Sequence, residues 1–243
     1  MNRTVLVTGA NRGIGLAFTG QLLARGDHVV ATCRHPGKAA ALNALGGEHP
    51  GRLHVLPLDV ASEKSRAELA RELPLVLGED GHLDLLINNA GVLHSGERFG
   101  QLRQETLEDS LRINAIGPLL LAQAVAPLLQ DGDSAPGNHQ RTVIANLTSQ
   151  LGSIAGVTRF GAPSYAISKA AQNMASAQLA QALAARGIVV LSLHPGWVQT
   201  DMGGGKAPDA PADVVAGMLR LIDAATPAQS GQFFDWRGEV LPW

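Results

Sequence analysis

Thr8-Gly9-Ala10-Asn11-Arg12-Gly13-Ile14-Gly15 closes a short β-branched run that starts at Thr4 and opens a helical pattern that begins near Arg12 and ends at Gly26. Glycines at such a junction let the backbone turn tightly and approach a pyrophosphate, whose charge is met by the free amides of the helix N-terminus. A glycine triplet alone is weak evidence. What gives it weight is its place between a strand and a helix at the start of a chain that keeps alternating between the two.

Working outward from that turn, short apolar runs alternate with longer helical segments throughout. The predicted strands are Thr4 to Thr8, His28 to Cys33, Leu53 to Leu58, Leu83 to Asn88, Thr142 to Thr148, Ile188 to Leu193 and, more weakly, Gln232 to Asp235. Seven strands with six intervening helical stretches predict an α/β, single-domain, Rossmann-type doubly wound fold over residues 1–243, a seven-stranded parallel sheet with helices on both faces. Helix punctuation agrees. Ser62 precedes Glu63 as a start signal. Leu102 to Leu129 is long and apolar, with Gly117-Pro118 expected to bend it or set its boundary. Pro163 and Gly187 delimit a helix over Ser164 to Arg186. Asp131 to Gln140 reads as a surface insertion. Met202 to Pro211, rich in glycine and proline, is either a lid over a ligand or a plain flexible connection.

The 243 residues are 45% hydrophobic and 16% charged, with a formal net charge of -2. That balance offers no basic stripe for nucleic acid. The single cysteine, Cys33, has no intramolecular disulfide partner and no second thiol for a zinc site, so no metal is expected and a reducing, cytoplasmic setting is the simplest reading. The apolar run Val5-Leu6-Val7 is far too short for a signal peptide, and no later apolar stretch is expected to span a bilayer.

At the end of the second strand stands Thr32-Cys33-Arg34. An acid about twenty residues beyond the glycines would bond a ribose 2′-hydroxyl. Here Arg34 instead offers a guanidinium fork to a 2′-phosphate, and Arg12 could reach the same group, so NADP(H) is the expected dinucleotide. Taken singly, either arginine is an ordinary surface charge. Asp59, in Leu58-Asp59-Val60, could accept from an adenine amino group or merely start a helix. Asn88-Asn89-Ala90-Gly91 ends the fourth strand, either shaping the ribose side of the pocket or marking a turn.

Tyr165-Ala166-Ile167-Ser168-Lys169 puts a phenol and an ammonium four residues apart, on one face of a helix. A tyrosine with an ordinary pKa near 10 needs a nearby positive charge to work as an acid/base at neutral pH. Lys169 can supply it. Ser149, at the end of the fifth strand, can bond a substrate oxygen at the carboxyl edge of the sheet.

Taken in order, the glycine motif, Asn88 to Gly91, Ser149, Tyr165-x-x-x-Lys169 and His194-Pro195-Gly196 resemble the short-chain dehydrogenase/reductase family over Thr8 to about Thr200. Gln150 to Ser153, Trp197 to Gly204 and Leu241-Pro242-Trp243 look like its C-factor and sniffer-like carbonyl reductase branch. The resemblance implies hydride transfer between a nicotinamide and a carbonyl or alcohol, with Ser149 polarising the carbonyl and Tyr165 as acid/base. Lys169 would also hold ribose hydroxyls, and Asn114 a relay water; otherwise Asn114 is an ordinary helical polar residue. It further implies a cofactor set of Gly9, Asn11, Arg12, Gly13, Ile14, Gly15, Arg34, Asp59, Val60, Asn89, Ala90, Gly91, Tyr165, Lys169, Pro195, Gly196, Val198 and Thr200. Residues 197–212 are expected to form a substrate-binding loop. The sixteen positions between Ser149 and Tyr165 exceed the commonest family spacing, and Ile154, Val157 and Phe160 within them suggest an apolar carbonyl substrate. The alanine-rich helix from Ser164 permits close packing, and the family commonly forms homodimers or homotetramers through it. Two other readings stand beside this one. An NADP(H)-binding signalling protein like C-factor would not require Ser149, Tyr165 and Lys169 together. An extended-type epimerase or dehydratase would normally need a longer C-terminal region.

Overall fold

The computed structural model describes residues 2–78, 81–132 and 141–243. Its seven strands are β1 (Thr4–Thr8), β2 (His28–Cys33), β3 (Leu53–Pro57), β4 (Leu85–Asn88), β5 (Val143–Leu147), β6 (Val189–His194) and β7 (Gln232–Asp235). All pair in parallel in one sheet, ordered β3-β2-β1-β4-β5-β6-β7. The helices are α1 (Gly13–Ala24), α2 (Ala40–Glu48), α3 (Glu63–Leu77), α4 (Gln104–Leu111), α5 (Gly117–Val125), α6 (Pro163–Leu183) and α7 (Pro211–Asp223). This is the Rossmann-type arrangement expected from the sequence.

Side-chain alternation explains the layers. Val5 and Val7 face one cluster with Phe18, Leu22, Leu42 and Met218, which α1, α2 and α7 supply. Leu6, between them, faces the other cluster with Leu69, Leu121, Val125 and Leu183, from α3, α5 and α6. Strands buried on both faces need apolar residues at every position, which is why they read as continuous runs. The strand order reverses between β1 and β4, and the crevice at their carboxyl ends is where such sheets bind ligands.

The boundary expected at Gly117-Pro118 falls there, at the start of α5. Between α4 and α5 the chain makes a π-helical turn, Arg112–Ile116, immediately before the Gly117-Pro118 pair. Pro118 has no N–H to give the carbonyl four residues back, that of Asn114, so the α-helical ladder cannot run through unbroken. The stretch Gln104–Leu128 is long and apolar enough to cross a membrane by length and composition, which corrects the reading that no such stretch exists. Leu121, Ala122 and Val125 are nonetheless buried in the sheet's own core, as in an interior helix. Of the insertion expected over Asp131 to Gln140, only Asp131 and Gly132 lie within the described residues. They are tied to Arg186, whose Nε donates to Asp131 Oδ1 at 2.6 Å and whose carbonyl accepts from the Gly132 amide at 2.8 Å.

Candidate active site

A cleft of about 420 Å³ runs along the carboxyl edge of the sheet. Of the residues singled out in the sequence, Gly9, Asn11, Arg12, Gly13, Ile14, Arg34, Asp59, Val60, Asn89, Ala90, Gly91, Tyr165, Lys169, Pro195 and Thr200 line its wall. Gly15, Asn114, Ser149, Gly196 and Val198 do not line it.

The glycine turn is built by close approach. Gly9 has φ +64°, and a Cβ there would sit 3.0 Å from the Ala90 Cα. A Cβ on Gly15 would lie 2.3 Å from the Gly9 carbonyl oxygen, so α1 packs against the turn only with glycine at this position. The Thr8 hydroxyl accepts from the Asn89 and Ala90 amides, each at 3.0 Å, and the Asn89 side-chain amide donates to the Thr8 carbonyl at 2.8 Å. These bonds lock the β4 end to the β1 end. No side chain caps the N-terminus of α1, and its first turn carries no acidic residue. The positive end of the helix is therefore left for an anion, as a dinucleotide pyrophosphate requires. Arg12, on the same wall, pairs through Nη1 with Asp201 Oδ2 at 2.9 Å. Arg34 projects into the cleft beside Cys33, whose thiol is pushed up by burial. Asp59 Oδ1 accepts from the Ala61 amide at 3.0 Å, and its backbone amide donates to Ser65 Oγ at 3.0 Å, so it shapes the turn into α3 while lining the same wall.

The other end of the cleft is organised by α6. Its entry residue, Ala162, has a left-handed φ of +43° and no side chain able to cap. Glu97, from the loop after β4, does the capping instead, accepting from the Ser164 amide at 3.3 Å and the Ser164 hydroxyl at 2.7 Å. A carboxylate at this helix end is electrostatically favoured, and it fixes the first turn, which carries Tyr165.

Burial pushes Tyr165 up to about 12, with a hydrogen bond from Ser149 pulling the other way. Ser149 Oγ accepts from the Leu151 amide at 3.1 Å, which leaves its own proton for the tyrosine oxygen or a substrate oxygen. Lys169 Nζ lies 5.6 Å from the Tyr165 ring centre. It donates to the Leu147 carbonyl at 2.7 Å and to Gln172 Oε1 at 2.8 Å, and burial pulls it down to about 7. The side chain of Asn114 clamps the loop after β4: Oδ1 accepts from the Val92 amide and Nδ2 donates to the Val92 carbonyl, both at 2.8 Å, and Nδ2 also reaches Ser168 Oγ at 2.9 Å.

The segment after β6 is held in place by its own bonds. Val198 is buried and bridged to Asp209. The Gln199 amide donates to the Asp209 carbonyl at 2.9 Å, and Trp197 Nε1 donates to the Gly203 carbonyl at 2.7 Å. Thr200 Oγ1 accepts from the Gly203 amide at 3.1 Å. The segments that follow β5 and β6 expose Leu151, Ile154, Val157, Phe160, Trp197 and Met202, and of these Met202 lines the cleft. Phe160 meets Phe99 edge to face at 5.8 Å, joining the β5–α6 connection to the loop after β4. The cleft also includes Asp201 and Met202, from the expected loop 197–212, and Cys33, Leu58, Asp109 and Ile113, which the sequence reading did not select as site residues. Asp109 and Ile113 are four apart on one helical run, a spacing that could have marked them. Burial would raise the Asp109 carboxyl, but bonds from Arg112 and His94 hold it below the usual carboxylate range.

The model of the short chain dehydrogenase family matches residues 3–210. Among similar proteins, the C-signal of Myxococcus xanthus is 43% identical over 163 residues, which are 67% of this chain and 94% of that protein. The 1-hydroxy-2-glutathionyl-2-methyl-3-butene dehydrogenase of a Rhodococcus species is 36% identical over 99% of both chains. Among solved structures, the carbonyl reductase Sniffer of D. melanogaster superposes with a TM-score of 0.93 at 33% identity, covering 100% of both chains. The NADPH-bound carbonyl reductase from chicken fatty liver gives 0.91 at 36% identity, covering 100% of this chain and 99% of that one.

Proposed function

The chain belongs to the short-chain dehydrogenases, and from that membership we propose that it is an NADP(H)-dependent reductase of apolar carbonyl compounds, with Tyr165 as its acid/base. The observation that carries this reading is the grouping of Tyr165, Ser149 and Lys169 at one end of a cleft whose other end offers Arg34. When bound, NADPH would supply the hydride for the carbonyl carbon. Ser149 donates to the carbonyl oxygen, and Tyr165 gives the same oxygen its proton, so the product is an alcohol. The Lys169 ammonium stabilises the phenolate that remains. In the reverse direction Tyr165 takes the alcohol proton. Arg34 and, once released from Asp201, Arg12 hold the 2′-phosphate; the uncapped start of α1 holds the pyrophosphate. Thr200, Pro195 and the ammonium of Lys169 bound the nicotinamide ribose end.

Residues 197–212 and the wall from Ile154 to Phe160 form the substrate side, whose exposed apolar side chains favour an aromatic or aliphatic aldehyde, ketone or quinone. NADPH chemistry and a lone buried thiol suit a cytoplasmic setting, and the small-residue helix α6 suits a homo-oligomer. The 43% identity to C-signal favours one further reading, a signalling protein that binds NADP(H) with little turnover.

An NADPH-oxidation screen over aldehydes, ketones and quinones separates the two. Turnover of apolar carbonyls, with NADPH preferred over NADH, is the expected result. Tight NADPH binding with no turnover across the panel contradicts the reductase reading and leaves the signalling one.

A further inference from the structure

Lys169 and Gln172 lie three residues apart on α6, so their side chains share a face, and both are buried. An ammonium has three N–H donors and no acceptor. Here one N–H meets the Leu147 carbonyl at 2.7 Å and another meets Gln172 Oε1 at 2.8 Å. Among the described residues, Gln172 is the only side chain that accepts from Nζ.

The chemistry fixes which way the amide points. Lys169 only donates, so Oε1 must face it, and Gln172 Nε2 is left buried without a partner. Leaving an amide donor unpaired in the interior is unfavourable, and an aliphatic side chain of similar size would fill the space without that penalty. Packing alone therefore does not account for a glutamine here. Its helical turn is also anchored from below. The Gln172 carbonyl accepts from Ser176 Oγ, Ser176 Oγ accepts from Asn146 Nδ2, and Asn146 Oδ1 accepts from Asn88 Nδ2, each at 2.8 Å.

We propose that Gln172 is a positioning residue for Lys169: its carboxamide oxygen, together with the Leu147 carbonyl, fixes two of the ammonium N–H groups, directs the third towards the cleft and holds the proton on the amine. The ionisable neighbours are Tyr165 on the same helix and, on the facing wall, Asp109 with its partners Arg112 and His94; Asp59, Arg34, Arg12 and Asp201 stand further along the cleft. Gln172 is the neutral side-chain acceptor beside them, at 2.8 Å from Nζ. Because burial already brings Lys169 to about 7, losing one acceptor changes its charge at neutral pH. The consequence for turnover rests on the reductase reading; the titration of Lys169 does not.

The chain has only four lysines, Lys38, Lys64, Lys169 and Lys206, so selective ¹³C labelling of lysine side chains gives a resolvable NMR titration, with Lys169→Arg identifying the resonance. Gln172→Leu is expected to titrate about one pH unit below wild type, the scale of one hydrogen bond to a charged group, and Gln172→Glu above it. In kcat/KM for carbonyl reduction at saturating NADPH, the alkaline fall should move in the same directions. Titrations that coincide with wild type in both variants overturn the proposal. Should Gln172→Leu fail to fold, judged by NADPH binding, an unmoved or lowered titration in Gln172→Glu overturns it equally. Should the wild type reduce no carbonyl, the reductase reading falls while the titration still decides the role of Gln172.

Discussion

Arg12 and Asp201 meet in an ion pair of 2.9 Å that joins the glycine turn to the segment after β6 at the mouth of the cleft. Both side chains are largely exposed, and such a pair contributes at most about 1 kcal/mol. A 2′-phosphate competes with Asp201 for the same guanidinium. Asp201→Asn should therefore tighten NADPH binding by up to about fivefold at low salt, less at high salt, and leave NADH unchanged. Equal NADPH affinities for variant and wild type at every salt concentration remove Arg12 from the phosphate site.

Arg34 follows β2 and lines the cleft, at the position where a carboxylate would bond a ribose hydroxyl. Loss of a charged hydrogen bond on a phosphate costs about 1.5–3 kcal/mol. Arg34→Ala should weaken NADPH by about 10- to 100-fold with little effect on NADH, measured by fluorescence titration. Equal losses for both dinucleotides contradict the assignment.

The side chain of Asn114 ties the π-helical turn to Val92 and Ser168 through three hydrogen bonds. Asn114→Ala leaves the buried part of that arrangement unpaired and should lower unfolding stability by about 1–3 kcal/mol, together with a lower kcat. Urea unfolding and steady-state kinetics check both. Unchanged stability shows that the loop after β4 holds itself.

The strands and the glycine turn were legible because a doubly covered parallel sheet writes itself as apolar runs, and because Gly9 and Gly15 answer to backbone contacts that tolerate no Cβ. The π-helical turn was less legible. Gly117-Pro118 announced a break, but the type of turn depends on which amide finds the Arg112 carbonyl, a tertiary outcome. Glu97 was not legible as the cap of α6, since it lies 67 residues from Ser164. Nor was the engagement of Arg12 by Asp201, 189 residues away. Local motifs identify the chemistry; the long-range polar partners that hold it emerge only from the fold.

Stability should depend on pH through Lys169. Its folded pKa of about 7 lies below the ordinary value of 10.5, so between those limits the unfolded chain binds more protons than the folded one. Stability therefore rises with pH across that window, by at most about 1.4 kcal/mol per pH unit, and the charged amine is least favourable to folding below about pH 7. Lys169→Met removes this dependence. The stability of wild type relative to Lys169→Met should increase from pH 6 to pH 9 in urea unfolding; a difference that stays constant contradicts a depressed lysine.

Substitution of Tyr165 by Phe tests the central claim most directly. The ring and its packing remain, and only the hydroxyl that meets Ser149 is lost. NADPH affinity should stay nearly constant while kcat for carbonyl reduction falls by about 10²- to 10⁴-fold, the scale of lost general acid catalysis. Undiminished turnover in Tyr165→Phe contradicts the assignment of Tyr165 as the proton donor.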